Sequence, residues 1–237
     1  GVIRRRGGFR LGGCGALDHV DRVAREILHP LQEKMDAEEW WPEDLFRQMG
    51  ELGLLGITAP EELGGSGQNE FTQALVSETI SKWNPAVGLS HGAHDNLCLN
   101  NILRNGSDEQ VRKYVPGLCS GELVGALGLT EPGAGSDLQG VKTTAVKDGD
   151  HYVLNGSKTF ITNGQNADIV IVVAKTDPTK GAKGISLFVV ETDSEGFEKG
   201  TNLKKVGMKA QDTSELFFQD VKVPAENLLG EEGMGFI

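Results

Sequence analysis

Two polar turns, each following an apolar run, carry the residue types best suited to hold a flat or anionic ligand. The first is LGLTEPGAGSD, residues 127–137. Its apolar lead-in, from Leu123 through Leu127, Gly128 and Leu129, gives way at Thr130 to Glu131, Pro132, Gly133, Ala134, Gly135 and Ser136. Pro132 has no N–H and ends strand pairing. Gly133 and Gly135 admit positive φ and let a ligand approach the backbone amides, as a phosphate or a flat heterocycle requires. Ser136 adds a hydroxyl that donates or accepts. The second turn is KTFITNG, residues 158–164. Here Phe160, Ile161 and Thr162 precede Asn163-Gly164, a dipeptide that signals a hairpin. Phe160 offers an aromatic face and Thr162 a hydroxyl, a pairing that can flank an aromatic cofactor. Both stretches are also ordinary compositions for surface turns, and composition leaves the two readings open. Gly133, Gly135 and Gly140 do not form a dinucleotide fingerprint, and no βαβ unit surrounds them.

The elements that must position these turns fall into two blocks. The chain has 237 residues, 38% hydrophobic and 24% charged, enough for one large or two modest globular domains. Before residue 120 the apolar spacing is helical. Val20, Val23, Ile27, Leu31 and Met35 make one stripe after an expected cap at Asp18, with a bend at His29-Pro30. A second helix is expected to follow Pro42 and end at Gly53, a third to span 70–83 and a fourth 85–104. A fifth begins at a capping box, Ser107 to Gln110. The glycine-rich run 64–67 reads as a connecting loop. His91, His94 and Cys98 share one face of the fourth helix. No second cluster completes a metal shell, so a packed face is expected and no metal site.

From Leu123 the period shortens. Runs at 143–146, 151–155, 158–162, 169–175, 185–191, 203–206, 216–218 and 221–223 read as strands of a β-barrel or compact sandwich. The expected fold class is therefore α+β multidomain. Residues 1–15 are expected as a disordered leader, 16–121 as an N-terminal all-α helical domain, and 122–237 as a β-domain, which the resemblance described below makes a middle domain with the start of a linker.

Lys+Arg number 23 against 34 Asp+Glu, a net charge of −11. Four of the arginines, Arg4, Arg5, Arg6 and Arg10, lie in the acid-free first ten residues; without them 19 basic residues face 34 acidic ones, a balance of −15. So acidic a body argues against nucleic-acid binding, and no run approaches the roughly 18 apolar residues that span a bilayer. The Arg-rich head reads as a targeting remnant or a plain leader. Cys14, Cys98 and Cys119 are too few and too scattered for a disulfide framework, which favours a reducing compartment.

Taken in order, LTEPGAGSD and FITNG resemble the flavin-binding signature of the acyl-CoA dehydrogenase family. The likeness runs from about Asp18 to the end, through GLLGITAPEELGGSG (53–67), Val206-Gly207-Met208 and VKVPAENLLGEEGMGF (221–236). Residues 92–110 look most like the isovaleryl-CoA dehydrogenase branch. The resemblance implies FAD lined by Leu127 to Ser136 and Phe160 to Thr162: Thr130 at the pyrimidine end, Phe160 on the ring face, Thr162 near N5, and Ser136 by the FAD phosphates and the CoA. It places Ala182 and Lys183 against the CoA portion, where a lysine's charge suits phosphate. It implies α,β-dehydrogenation of a short or branched acyl-CoA, with electrons passed to an electron-transferring flavoprotein. It also implies a homo-oligomer, tetrameric when full length, in the cytoplasm of a prokaryote or the mitochondrial matrix of a eukaryote. The family's catalytic glutamate belongs to a C-terminal four-helix domain that residues 1–237 do not include. No catalytic residue is therefore assigned, and Glu226, Glu231 and Glu232 are read as linker. A same-fold acyl-CoA oxidase and a non-catalytic flavin- or CoA-binding fragment are the competing expectations.

Overall fold

The computed structural model describes residues 14–237. The Arg-rich leader falls outside the described residues except for Cys14 and Gly15, which already belong to helix α1 (Cys14–Val23). Asp18 lies inside α1 and does not cap it. The helix then widens into a π-turn, Ala24–Leu28, and tightens into a 3-10 turn, His29–Leu31, before α2 (Gln32–Glu38). Pro30 accounts for this: it donates no N–H and its ring crowds the carbonyl of Glu26, so the ladder must change pitch there. Val20, Val23, Leu28 and Met35 are buried, with Ile27 and Leu31 packed partly against the same core.

Helix α3 (Leu45–Glu51) precedes Gly53, which takes a left-handed φ of 71°. The loop at 64–67 closes on itself, with Ser66 donating to the Gly56 carbonyl and Gly67 to that of Ala59. α4 (Glu70–Trp83) is capped by Asn69, whose side chain accepts from the Thr72 amide at 2.9 Å. α5 (Pro85–Gly92) starts on Asn84 and Pro85, continues as a π-turn over Ala93–Leu99, and resumes as α6 (Asn100–Asn105). One long helix was expected there. The wide turn carries buried Asp95, whose carboxylate accepts the amides of Gly56 (2.9 Å) and Ile57 (3.2 Å). α7 (Asp108–Ser120) begins at the full Ser107/Gln110 capping box. Gln110 also donates to the carbonyls of Glu226 (2.7 Å) and Leu228 (3.0 Å), stitching the helical block to the far end of the chain.

The second block is one eight-stranded sheet in the order β6-β7-β3-β2-β4-β5-β8, with β1 beside β4. The strands are β1 (Gly125–Gly128), β2 (Thr144–Asp148), β3 (His151–Thr162), β4 (Ile169–Lys175), β5 (Ile185–Glu191), β6 (Phe197–Asn202), β7 (Thr213–Pro224) and β8 (Leu228–Leu229). β1 runs parallel to β4, and the β3–β7 pair is antiparallel. The sheet curls so that Ala126, Ala145, Leu154, Val172, Phe188, Leu216 and Val221, from six strands, share one core.

Several expected strands differ. The runs 151–155 and 158–162 are one strand, β3, as 216–218 and 221–223 are one strand, β7, because bulges interrupt the side-chain alternation without breaking the ladder. The run 203–206 is not a strand; Val206 is fully exposed, and the edge strand is instead the polar β6. Asn163-Gly164 does not close a hairpin, since β3 pairs with β2 and β7 and not with β4. No described helix is long and apolar enough to cross a membrane.

His91, His94 and Cys98 do share a face, and it is packed. His91 Nε2 lies 2.7 Å from the Leu54 carbonyl. His94 accepts from the Gly125 amide at Nδ1 (3.1 Å) and so donates from Nε2 to the Leu118 carbonyl (3.0 Å). Cys98 lies against Gly125, where a Cβ would stand 2.5 Å from its Sγ. Burial of the neutral His94 pushes its pKa below the usual 6.5, in spite of Asp95 nearby. The folded value being depressed, its stabilising contribution is complete above the unfolded value and shrinks as pH falls below about 6.5. Urea unfolding between about pH 7.5 and about pH 5.5 should show stability falling with acid, and His94→Gln should flatten that slope. An unchanged slope in the variant would contradict the assignment.

Candidate functional site

Thr130 and Thr159 join the two turns directly: the Thr159 amide donates to the Thr130 carbonyl at 2.8 Å. Beyond β1 the chain folds back on itself over Glu131–Ala134, with Glu131 N donating to Ala134 O (2.9 Å) and Ala134 N to Glu131 O (3.1 Å). That tight reversal leaves Pro132 and Gly133 at its tip, and turns Gly133, Gly135 and Ser136 to the exterior. Neither Gly133 nor Gly135 uses the positive φ that glycine admits. Their role is space: a Cβ added at either meets nothing within 4 Å, so a ligand can lie flush on the backbone.

Glu131 itself points inward. Its carboxylate accepts from Lys142 N (2.6 Å), Thr143 N (3.0 Å) and Lys158 Nζ (2.8 Å). Lys158 also donates to the Leu129 carbonyl at 3.2 Å. The two side chains are 7% and 0% exposed. Burial would raise the Glu131 carboxyl, but the Lys158 ammonium with the bonds from Thr143 and Lys142 outweighs it and holds the group below the usual carboxylate range. Burial likewise pulls the Lys158 ammonium below the usual lysine range, although Glu131 opposes the shift. The pair thus clamps the first turn onto β3.

On β3 the clamp sits two residues before a bulge. Lys158 and Thr159 are both buried, Phe160 is 66% exposed, and Ile161 is buried again. The inversion is made by Phe160, whose φ is 59°, a conformation that costs a bulky L-residue about 1–2 kcal/mol. Pairing with β7 resumes at Ile161 with Ser214 and at Thr162 with Thr213. Strained backbone of this kind clusters at active sites and ligand clamps, and here it turns an aromatic ring outward. The half-buried Thr162 lies next along the same strand.

Of the assigned positions, Leu127 and Gly128 end β1, Leu129 and Thr130 are half-buried beyond it, and the side chains of Glu131, Ala134 and Ile161 are buried. Pro132, Gly133, Gly135, Ser136 and Phe160 are exposed. Asp137 caps the turn Leu138–Gly140, which packs against the turn Gly181–Gly184 carrying half-buried Ala182 and exposed Lys183. A Cβ at Gly181 would stand 3.4 Å from Gln139 Oε1. The turn that carries Lys183 thus packs against the turn that begins two residues after Ser136.

Sequence reasoning missed Lys158, Thr143 and Asp212. A lysine in a strand reads as surface, and only the count of donors around Glu131 reveals the pair. Asp212 is buried and accepts the amides of Gln165 (3.1 Å) and Asn166 (3.2 Å) just after the second turn.

Lys158→Met strands the Glu131 charge and should cost about 3–5 kcal/mol in denaturant unfolding. Because the folded Glu131 value is depressed, wild-type stability from this group is full above about pH 4.5 and lost as pH falls through the lower folded value; Glu131→Gln should lose that acid limb.

Two family models match the chain: the acyl-CoA dehydrogenase N-terminal domain over residues 16–122 and the acyl-CoA dehydrogenase middle domain over residues 126–221. The mitochondrial isovaleryl-CoA dehydrogenase of Pongo abelii is 47% identical over 220 residues, covering 91% of this chain and 52% of that protein. A solved chain described under an electron transferring flavoprotein of Acidaminococcus fermentans is 44% identical with a TM-score of 0.90, covering 93% of this chain and 58% of that one. A glutaryl-CoA dehydrogenase from Mycobacterium smegmatis in complex with FADH2 is 33% identical with a TM-score of 0.86, covering 92% of this chain and 55% of that one. The chain spans about half the length of the curated relatives it matches.

Proposed function

Because the chain belongs to the acyl-CoA dehydrogenase family, we propose that it supplies the flavin and thioester cradle of an enzyme that α,β-dehydrogenates a short or branched acyl-CoA. The observation that carries this reading is Phe160, an exposed ring held in a strained left-handed conformation directly after Thr159, whose amide ties its strand to Thr130 of the first turn. FAD, when bound, supplies the hydride acceptor. The residues present fit such a group: an aromatic face for a flat ring, a side-chain-free backbone against which it can lie, and hydroxyls at Thr130, Thr162 and Ser136.

Each part then has a job derived from its place. The Phe160 ring bounds the flavin plane, and Thr162 offers a hydroxyl next along the strand. Thr130, tied through its carbonyl to Thr159, keeps its hydroxyl at a fixed distance from that wall. Gly133, Gly135 and Ser136 receive the phosphates, and Ala182 with Lys183 hold the CoA portion, the ammonium opposing its charge. Glu131 is consumed by its bonds to Lys158, Lys142 and Thr143, and Glu232 accepts the Tyr152 hydroxyl at 2.8 Å. Neither is placed to remove the α-proton, and the reading assigns that step to a glutamate outside residues 1–237. Electron delivery to an electron-transferring flavoprotein and assembly into a homo-oligomer complete the proposal.

The test is a flavin absorbance titration of the protein with FAD, followed by anaerobic addition of isovaleryl-CoA. Retention of FAD and a perturbed flavin band on adding the thioester are expected; failure to retain FAD would overturn the reading. Phe160→Gly relieves the backbone strain, so stability should stay within about 1 kcal/mol of wild type. FAD binding by the same variant should weaken by about tenfold or more.

A further inference from the structure

The segment after Thr162 is gripped from two sides by opposite charges. On its N–H side, Asp212 accepts from Gln165 N (3.1 Å) through one carboxylate oxygen, and through the other from Asn166 N (3.2 Å) and Asn166 Nδ2 (2.6 Å). Ser214 Oγ lies 3.5 Å away as a further donor, and the Asp212 side chain is buried. On its C=O side, Lys199 of β6 donates to the carbonyls of Gln165 (2.9 Å) and Ala167 (2.7 Å). Gln165 also donates from Nε2 to the Gly200 carbonyl at 2.8 Å.

This grip sits next to a second left-handed residue. Asn163 has a φ of 65°, three positions after Phe160 at 59°. Its side chain donates to the carbonyls of Ser90 on α5 (2.9 Å) and Gly125 on β1 (3.2 Å). Strained conformations persist only where the surroundings over-determine them. Asn163 is fixed on its side-chain face by α5 and β1, and its carbonyl accepts the Ala167 amide at 2.7 Å; the charged side chains that hold the chain beyond it are Asp212 and Lys199, with the Thr192 hydroxyl sharing the Ala167 carbonyl at 3.0 Å. We propose that Asp212 and Lys199 are positioning residues for the wall made by Phe160 and Thr162, holding the following turn so that the left-handed pair cannot relax. The inference rests on the flavin reading of that wall.

The chemistry requires a carboxylate. Four donors converge on Asp212, and an isosteric amide would turn an N–H against one of them. Lys199 acts as a cation bonded to two carbonyls, the stronger class of hydrogen bond.

The experiment compares wild type, Asp212→Asn, Lys199→Met and Lys199→Arg in two readouts: amide hydrogen exchange over residues 160–166 without ligand, and FAD affinity by flavin fluorescence. Asp212→Asn and Lys199→Met should each speed exchange in that segment and weaken FAD binding by about tenfold, while Lys199→Arg restores both. If Asp212→Asn does not fold, the surface variant Lys199→Met decides. Faster exchange with unchanged FAD affinity would reduce the grip to a purely structural one and overturn the proposal, as would no change in either. Failure of the wild type to bind FAD would defeat the flavin reading and this inference with it; FAD binding that survives in every variant defeats the inference alone.

Discussion

The ion pair between Glu131 and Lys158 is the contact on which the site's geometry depends, because it is where the two turns are made into one surface. Taking both charges from water costs several kcal/mol apiece, and their attraction offsets that only when the remaining hydrogen-bonding capacity is filled. Here it is filled. Glu131 accepts two backbone amides besides the ammonium, and Lys158 donates a second bond to the Leu129 carbonyl. An apolar pair of equal volume could pack as well, but it could not bind the Lys142 and Thr143 amides while also tying down Leu129. The pair fixes direction as well as contact, setting where the Pro132–Gly133 tip and the Phe160 ring stand relative to each other.

Around that clamp the structure stores strain and distributes its compensation. Phe160 and Asn163 both occupy left-handed backbone, and each lies between stretches restored to regular pairing or bonded by side chains. The helical block contributes more than bulk to this. His94 receives the Gly125 amide at the start of β1, Asn163 reaches back to Ser90 on α5, and Gln110 of α7 holds the carbonyls of Glu226 and Leu228. The sheet is thus tied to the helical block at Gly125 and Asn163, next to the site, and again at Glu226 and Leu228.

Much of this was legible in the sequence where the signal is local. The apolar runs at 169–175 and 185–191 are β4 and β5, the helix from Glu70 to Trp83 has its expected limits, and the Ser107 box caps α7. What stayed hidden depends on distant partners. The polar strand β6 is an edge with one neighbour, so nothing in its composition demands a sheet. The run Leu203 to Val206, with an apolar residue at each end, offered a better strand pattern and became a loop. Lys158 reads as solvent-facing until Glu131, 27 positions earlier, is folded onto it. Asn163-Gly164 has the composition of a hairpin, yet Asp212 recruits the chain beyond it into a crossover. For the candidate site, residue types at Phe160, Thr162, Gly133 and Gly135 pointed to the surface proposed as the flavin cradle; the open space at the glycines and the strain at Phe160 required coordinates.

The measurement that bears most directly on this account is a double-mutant cycle on FAD affinity, using Glu131→Gln, Lys158→Met and the two together. If the pair acts as one clamp on the flavin wall, each single change weakens FAD binding and the double variant binds no worse than the poorer single, a coupling of about 1–3 kcal/mol. Additive losses, or FAD affinity unmoved by any of the three in folded protein, would contradict the claim that this ion pair makes the two turns a single site.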